Sequence, residues 1–324
     1  MTRQQFADDA LETAGRFGDD IREFLNRVPR QLPSRYFYDG LGSALFDAIC
    51  ELPWYRITRA ESRLLRSHAA EVHARLRRLT TVIELGPGNG EKLKLLLEGA
   101  GANADPLDVH LVDVSAKALQ TATGTLDALP NVRLTAHIAE YDRALAEIAG
   151  TVSGGSTLVL FLGSNIGNFD PPCATSFLDY IREHLAEGDA LLLGADLVKP
   201  EAELLLAYDD PLGVTAAFNR NLLVRINREL NANFDLEQFA HEAIWNPADS
   251  RVELHLVAQS AQHVRIANLP MELEFAAGER IWTESSHKYR PSDIAGMLEG
   301  AGFQTVTQWI DRADRFALTL ARAV

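Results

Sequence analysis

Residues 84–92 read Glu-Leu-Gly-Pro-Gly-Asn-Gly-Glu-Lys, with glycines at 86, 88 and 90. Thr81, Val82 and Ile83 before them have the character of a buried strand, and the amphipathic run from Glu91 starts a helix. A glycine-rich strand-to-helix turn lets a ligand lie directly against the backbone. The acid at Glu84 favours a positively charged ligand over a pyrophosphate. The GxGxG spacing also differs from the GxGxxG of dinucleotide sites. Together they point to S-adenosylmethionine, a sulfonium that carries an α-ammonium group, and so to methyl transfer. Asp113 reads as the end of the next strand, where an acid can accept both ribose hydroxyls of an adenosine group. The competing reading is an ordinary helix-capping aspartate. Lys92 is either a ligand contact beside Gly86 and Gly88 or a solvated residue of the helix's first turn.

Further polar side chains fall in turns. In FLGSNIGNFDPP (161–172), Gly163 and Gly167 allow sharp turning, and Asn168 would sit at a strand's carboxyl end facing the methyl donor. A side-chain amide there can orient an amine or a carboxylate; a plain Asx turn is the bland alternative. Tyr38, Tyr55 and Tyr208 are amphipathic, rigid phenols suited to amines and carboxylates, although isolated tyrosines are more often core or rim residues. In TESSHKY (283–289), Glu284 and Ser286 share one face if the segment is extended; otherwise they belong to a polar turn before Pro291. No metal-ligand spacing occurs among the nine histidines, and two cysteines, Cys50 and Cys173, are too few for a disulfide framework.

Alternating strands and helices must position these residues. Strands are expected at 81–85, 108–114, 131–138, 157–163 and 189–196, with helices starting near Glu91, Ser115, Arg143 and Pro172. That rhythm implies an α/β fold with a doubly wound, mainly parallel sheet, whose ligands bind at the carboxyl ends of the strands. Residues 1–28 look helical and polar, and 31–61 are aromatic-rich, with turn signals at Asp39-Gly40 and Pro53. Thr58 and Glu61 have the spacing of a capping box, as do Asp235 and Gln238. The segment 215–230 is a helix with Phe218, Leu222, Ile226 and Leu230 on one face. Residues 251–279 read as antiparallel strands, and 291–303 as a helix followed by two more strands. The expected division is 1–60 and 199–285 as an α+β cap that binds the substrate, with 61–198 and 286–324 as the donor-binding domain.

The chain has 324 residues and a net charge of −14, which argues against a nucleic-acid phosphate backbone as partner. The first twenty residues contain no apolar core of a signal peptide, and no apolar run approaches the roughly 20 residues that span a bilayer. A cytoplasmic, monomeric protein acting on a small molecule, away from membranes, is expected.

Several longer stretches carry a resemblance: SRYFYDGLGSALFDAI, ELGPGNGEK, FLGSNIGNF, LLLGADLVKP, AYDDPLGVTAAFNRNLL, NRELNANFDL and TESSHKYRP. The chain resembles the histidine Nα-methyltransferases of ergothioneine biosynthesis from about residue 30 onward. They convert L-histidine to its trimethyl betaine, hercynine, with S-adenosylmethionine. The resemblance implies a class I methyltransferase fold. It implies cofactor contacts at Gly86, Gly88, Lys92 and Asp113, and near the adenine at Glu140-Tyr141, with Asp142 as a rival. Asn168 and Tyr208 match residues that hold the substrate α-carboxylate, and Tyr38 a tyrosine near the α-amine; Tyr38 and Asn168 are the catalytic positions it implies. Tyr55, Glu284 and Ser286 match imidazole-recognition positions, and Gly163 and Leu254 complete the substrate side. Three places depart from the pattern. Pro87-Gly88-Asn89 replaces Ser-Gly-Thr, Arg56-Ile57 stands for Tyr-Pro, and Leu254 stands for a methionine of the side-chain pocket.

The chemistry expected is in-line displacement by a neutral amine, resting on alignment rather than on a strong base, with the ammonium proton leaving through Tyr38 or water. The alternatives are Nα-methylation of another aromatic amino acid such as tryptophan, a nicotinamide-dependent dehydrogenase, and a silent binding module.

Overall fold

The computed structural model describes residues 16–101, 105–151 and 154–324. They group into two compact units. One holds the described part of Met1–Ile49 with Ala202–Asn246 and Val252–Ser285; the other holds Cys50–Glu201, Pro247–Arg251 and Ser286–Val324.

The chain enters through helix α1 (16–25), a two-residue strand β1 (Arg30–Gln31), α2 (Gly40–Glu51) and α3 (Ile57–Arg75). Then come β2 (Leu79–Leu85), α4 (Glu91–Glu98), β3 (Leu107–Asp113), α5 (Ala116–Leu126), β4 (Val132–Ile138) and α6 (Tyr141–Ala149). They are followed by β5 (Ser156–Phe161), α7 (Pro171–Glu183) and β6 (Ala190–Asp196). Helices α8 (Glu201–Tyr208) and α9 (Val214–Leu230) lead to strands β7 (Phe239–Asn246), β8 (Arg251–Ala258), β9 (Gln262–Ile266), β10 (Met271–Phe275) and β11 (Arg280–His287). Helix α10 (Pro291–Gly300) and strands β12 (Phe303–Asp311) and β13 (Phe316–Ala323) complete the elements.

The second unit is built on a seven-stranded sheet in the order β12-β13-β6-β5-β2-β3-β4. Strands β2 to β6 run parallel, while β13 is antiparallel to β6 and β12 antiparallel to β13. Strands β5, β6 and β13 are nearly continuous apolar runs because helices cover both faces of the sheet's centre. Ile83, Leu85, Val159, Phe161, Leu191 and Leu193 pack with Leu178 and Ile181 of α7 and Leu298 of α10. Strand β4 has a free edge and is largely exposed. Chain order reverses between β2 and β5, so the segments leaving their carboxyl ends border a crevice, the usual ligand position in such sheets. Those two segments are the glycine turn and the loop from Gly163.

The first unit carries a sheet in the order β1-β11-β8-β7, with β1 parallel to β11, and a separate antiparallel hairpin of β9 and β10. Helix α9 buries Phe218, Leu222, Ile226 and Leu230, the face its periodicity marks.

Some local expectations fail. Thr58 and Glu61 form no capping box: α3 starts at Ile57, and Glu61 is fully buried. Asp39-Gly40 is a helix start rather than a turn, with Asp39 accepting the Gly42 N–H at 2.7 Å. Asp235 does cap a 3-10 turn, but through the Glu237 N–H, while Gln238 accepts the Ser260 hydroxyl instead of closing a box. Helix α6 begins at Tyr141, two residues before Arg143. Of residues 1–28, only 16–28 are described, and the helix among them ends at 25.

Candidate active site

In the second unit the glycine turn has the backbone that its composition demands. Gly86, Gly88 and Gly90 have φ of 77°, 56° and 81°, values that favour glycine. A Cβ at Gly90 would come within 3.0 Å of the Ala122 backbone in α5, whereas one at Gly88 meets nothing within 4 Å. The first glycine seals the turn against the protein; the second leaves open backbone for a ligand. Asn89 accepts the Glu91 N–H at 3.1 Å, an Asx-type turn just ahead of α4, whose N-cap is Gly90.

Glu84 lies beneath this turn with both carboxylate oxygens buried and without a hydrogen-bond partner among the described residues. Burial pushes its pKa up to about 8; Lys92 opposes the shift, and Glu61 and Asp113 add to it. An unpartnered buried carboxylate below a glycine cradle fits a cationic ligand. Lys92 donates to Glu61 at 2.8 Å and keeps one-fifth of its side chain exposed. Burial disfavours its charge, but Glu61 and then Glu84 outweigh that and raise its pKa.

Asp113 ends β3, and its Oδ1 accepts the Ser115 N–H at 2.8 Å, which orients the carboxylate. Ser115, not Asp113, caps α5, since its hydroxyl accepts the Ala118 N–H. Burial raises the Asp113 pKa to about 6 against two backbone hydrogen bonds. Beside it Val114 is 48% exposed, and Ile138, paired with Asp113 in the sheet, is 43% exposed. Two uncovered apolar side chains next to a carboxylate suit the base and ribose of an adenosine. In the 140–142 run, Glu140 precedes α6, Tyr141 begins it, and Asp142 bonds the Arg143 N–H of its own helix. The Tyr141 ring packs on Phe161 and Phe177, and its hydroxyl would lie 2.8 Å from a Cβ at Gly86. Burial, then the charges of Asp113 and Glu84, push its pKa upward, so the phenol stays protonated. The glycine cradle, the orphaned Glu84 oxygens and this donor set fit S-adenosylmethionine.

The loop after β5 turns at Gly163, φ 76°, and Ser164, φ 61°, then forms a 3-10 turn over Asn165–Asn168. Both Glu61 oxygens accept the Gly163 N–H, at 3.0 and 2.9 Å, and Ser164 Oγ accepts the Asp196 N–H. Gly167 serves close approach rather than turning, because a Cβ there would lie 2.7 Å from the His287 carbonyl. Asn168 ends the turn, half-buried. Tyr55 is buried after Pro53. Ser286 is buried on β11, which is a strand and not a polar turn, and its hydroxyl accepts from Lys288 at 2.8 Å. Lys288 also lies 3.1 Å from Asp196.

In the first unit, Tyr38 packs edge-on against Phe46 and Phe218. Tyr208 ends α8 and is buried with Leu204, Val252 and Leu254. Its carbonyl faces His241 Nε2 at 2.8 Å, and His241 Nδ1 faces the Asn219 amide at 2.9 Å. Glu284 lies on β11, two residues before Ser286.

The sequence reading missed Glu61, Lys288, His241, Val114 and Ile138. Glu61 did leave a signal, since it falls on the apolar stripe of Ile57, Ala60, Leu64 and Leu65 in α3. Among the described residues no cluster of three or more His, Cys, Asp or Glu could hold a metal ion.

A family profile described as "Histidine-specific methyltransferase, SAM-dependent" matches residues 17–323. Histidine N-alpha-methyltransferase of Mycolicibacterium smegmatis is 44% identical, with 97% of this chain and 96% of that protein aligned. The protein of the same name from Mycobacterium tuberculosis is 43% identical over 93% of each chain. Ergothioneine biosynthesis protein 1 of Schizosaccharomyces pombe is 30% identical over 90% of this chain and 38% of its own length. A match this long and this close fixes membership: the chain belongs to the histidine-specific, S-adenosylmethionine-dependent methyltransferases.

Proposed function

We propose that this chain trimethylates the α-amine of L-histidine to hercynine, a step toward ergothioneine. The observation that carries the reading is 44% identity, spread over 97% of the chain, to a histidine N-alpha-methyltransferase. When bound, S-adenosylmethionine supplies an electrophilic methyl group. The chain's residues then bind, align and handle a proton. Gly86 and Gly88 give the donor bare backbone, Glu84 and Lys92 take its ammonium and carboxylate, and Asp113 its ribose. Tyr141, with Val114 and Ile138, borders the adenine, and Glu140 and Asp142 lie at its margin.

On the acceptor side, Asn168 and Tyr208 hold the α-carboxylate and Tyr38 stands by the amine. Glu284 accepts an imidazole N–H, a charge-assisted bond that favours histidine over an apolar side chain. Ser286 bonds the same ring, and Tyr55, Gly163 and Leu254 shape its pocket. No strong base is required, because the ammonium needs only to pass its proton to solvent, through Tyr38 or a water, before attack. The second unit is the donor-binding domain. No described helix is long and apolar enough to cross a membrane, and we read the protein as a cytoplasmic monomer.

Mass spectrometry of histidine incubated with enzyme and S-adenosylmethionine tests the reading. Products heavier by one, two and finally three methyl groups are expected. Turnover of another amino acid with none of histidine would overturn it.

A further inference from the structure

Glu61 is a fully buried acid on the apolar face of a helix. Its carboxylate has two clients. Both oxygens accept the Gly163 N–H, at 3.0 and 2.9 Å, and Oε2 accepts from Lys92 Nζ at 2.8 Å. Two glycines keep the space clear. A Cβ at Gly194 in β6 would lie 1.9 Å from Glu61 Oε1, and one at Gly163 would lie 3.0 Å from Lys92 Nζ.

A buried ion pair is a poor device for stability alone. Desolvation offsets most of its attraction, and apolar side chains of similar volume do as well or better. What the pair supplies is geometry. Lys92 is the second residue of α4, directly after the glycine turn, and Gly163 opens the loop that ends at Asn168. One carboxylate therefore ties the donor-side lysine to the acceptor-side loop. We propose that Glu61 is a positioning residue for methyl transfer, holding Lys92 and the Gly163–Asn168 loop in one fixed relation. The inference rests on the methyltransferase reading above. Displacement at a methyl group is sensitive to alignment, and a misplacement of about 1 Å costs on the order of 100-fold in rate.

Glu61→Gln keeps the shape and one acceptor oxygen, but it removes the charge that holds Lys92 and puts an N–H donor where the second carboxylate oxygen accepts the Gly163 N–H. Its kcat for histidine methylation should fall about 100-fold, with a smaller loss of S-adenosylhomocysteine affinity. Lys92 also loses the charge that outweighs its burial, so the alkaline limb of S-adenosylhomocysteine binding should move to lower pH. Gly194→Ala pushes the carboxylate aside with its charge intact; it should lower kcat and leave that limb in place. Leu65→Ala, in the same helix, should lower the melting temperature without moving kcat or the limb. If Glu61→Gln does not fold, Glu61→Asp, which keeps the charge and shortens the reach, should behave as Gly194→Ala does. Wild-type kcat and an unmoved limb in Glu61→Gln would overturn the proposal, as would Glu61→Asp or Gly194→Ala with wild-type kcat. Wild type that binds S-adenosylhomocysteine but leaves histidine unmethylated would instead remove the histidine reading, and the limb would still test the hold of Glu61 on Lys92.

Discussion

Glu84 and Glu284 are both glutamates, and each carries a different expectation. Glu284 is proposed to choose the acceptor, so Glu284→Ala should raise the KM for histidine at least tenfold and leave S-adenosylhomocysteine affinity unchanged. Steady-state kinetics and calorimetry read the two effects separately, and an unchanged KM removes Glu284 from the imidazole site. Glu84 is proposed to meet the donor's cation. Its pKa near 8 means that the unliganded protein holds this proton at neutral pH. A cation favours the ionised form, so binding below pH 8 should release a proton, and affinity should rise with pH and flatten above about 8. Titrations at pH 7 in two buffers of different ionisation enthalpy measure that proton. Glu84→Gln should abolish the release, and wild type without any release would place Glu84 away from the ligand. Asp113 and Lys92 were legible because they stand at fixed steps from a glycine turn. Glu61 was not, because three residues after Thr58 it has the spacing of a capping box, whereas the helix starts at Ile57 and its rotation puts the carboxylate inside.

At the scale of elements, the strand-turn-helix of β2 and α4 is the most demanding piece. Gly90→Ala places a side chain at φ 81° and within 3.0 to 3.2 Å of Ala122. The variant should lose about 1–3 kcal/mol of stability, read from its denaturant midpoint, and bind S-adenosylmethionine more weakly. Wild-type behaviour would mean that α5 gives way easily at that point. The parallel strands were legible because central strands are continuous apolar runs bounded by glycine, acid or asparagine. Three of the local errors have one common source. Asp39, Asp235 and Glu61 each carry capping chemistry, and sequence spacing does not say which backbone N–H each acid will find. The Glu284–Ser286 segment was ambiguous because a half-buried strand rich in polar residues lacks the apolar alternation that would mark it.

At the scale of the molecule, Glu84 also links stability to pH. Folding raises its pKa from 4.5 to about 8, so the folded, unliganded protein binds more protons than the unfolded chain across that interval. Its contribution to stability must therefore fall as pH rises from about 4.5 to 8 and stay level above that. Melting temperatures of wild type and Glu84→Gln without donor should diverge across this window, with the variant gaining toward pH 8. An identical pH dependence in the two would refute the assignment. The alternation of strands and helices over 81–196 made the sheet readable, because each step there follows its neighbour in sequence. Strand β13 was foreseen as a strand but not as an interior one, for its partner lies far back in the chain.

That placement sets the order in which the protein can come together. Phe316 pairs with Asp196 across more than a hundred residues of sequence. A nascent chain that has finished β6 has the five parallel strands but no neighbour for the edge of β6, a run of leucines that ends up fully buried. Until β13 emerges, that edge is open to any other strand, including one from another nascent copy. Synthesis of the whole 197–315 interval is thus a period of exposure, and a chain truncated at residue 315 should partition into aggregates or onto chaperones rather than fold into a slightly smaller enzyme.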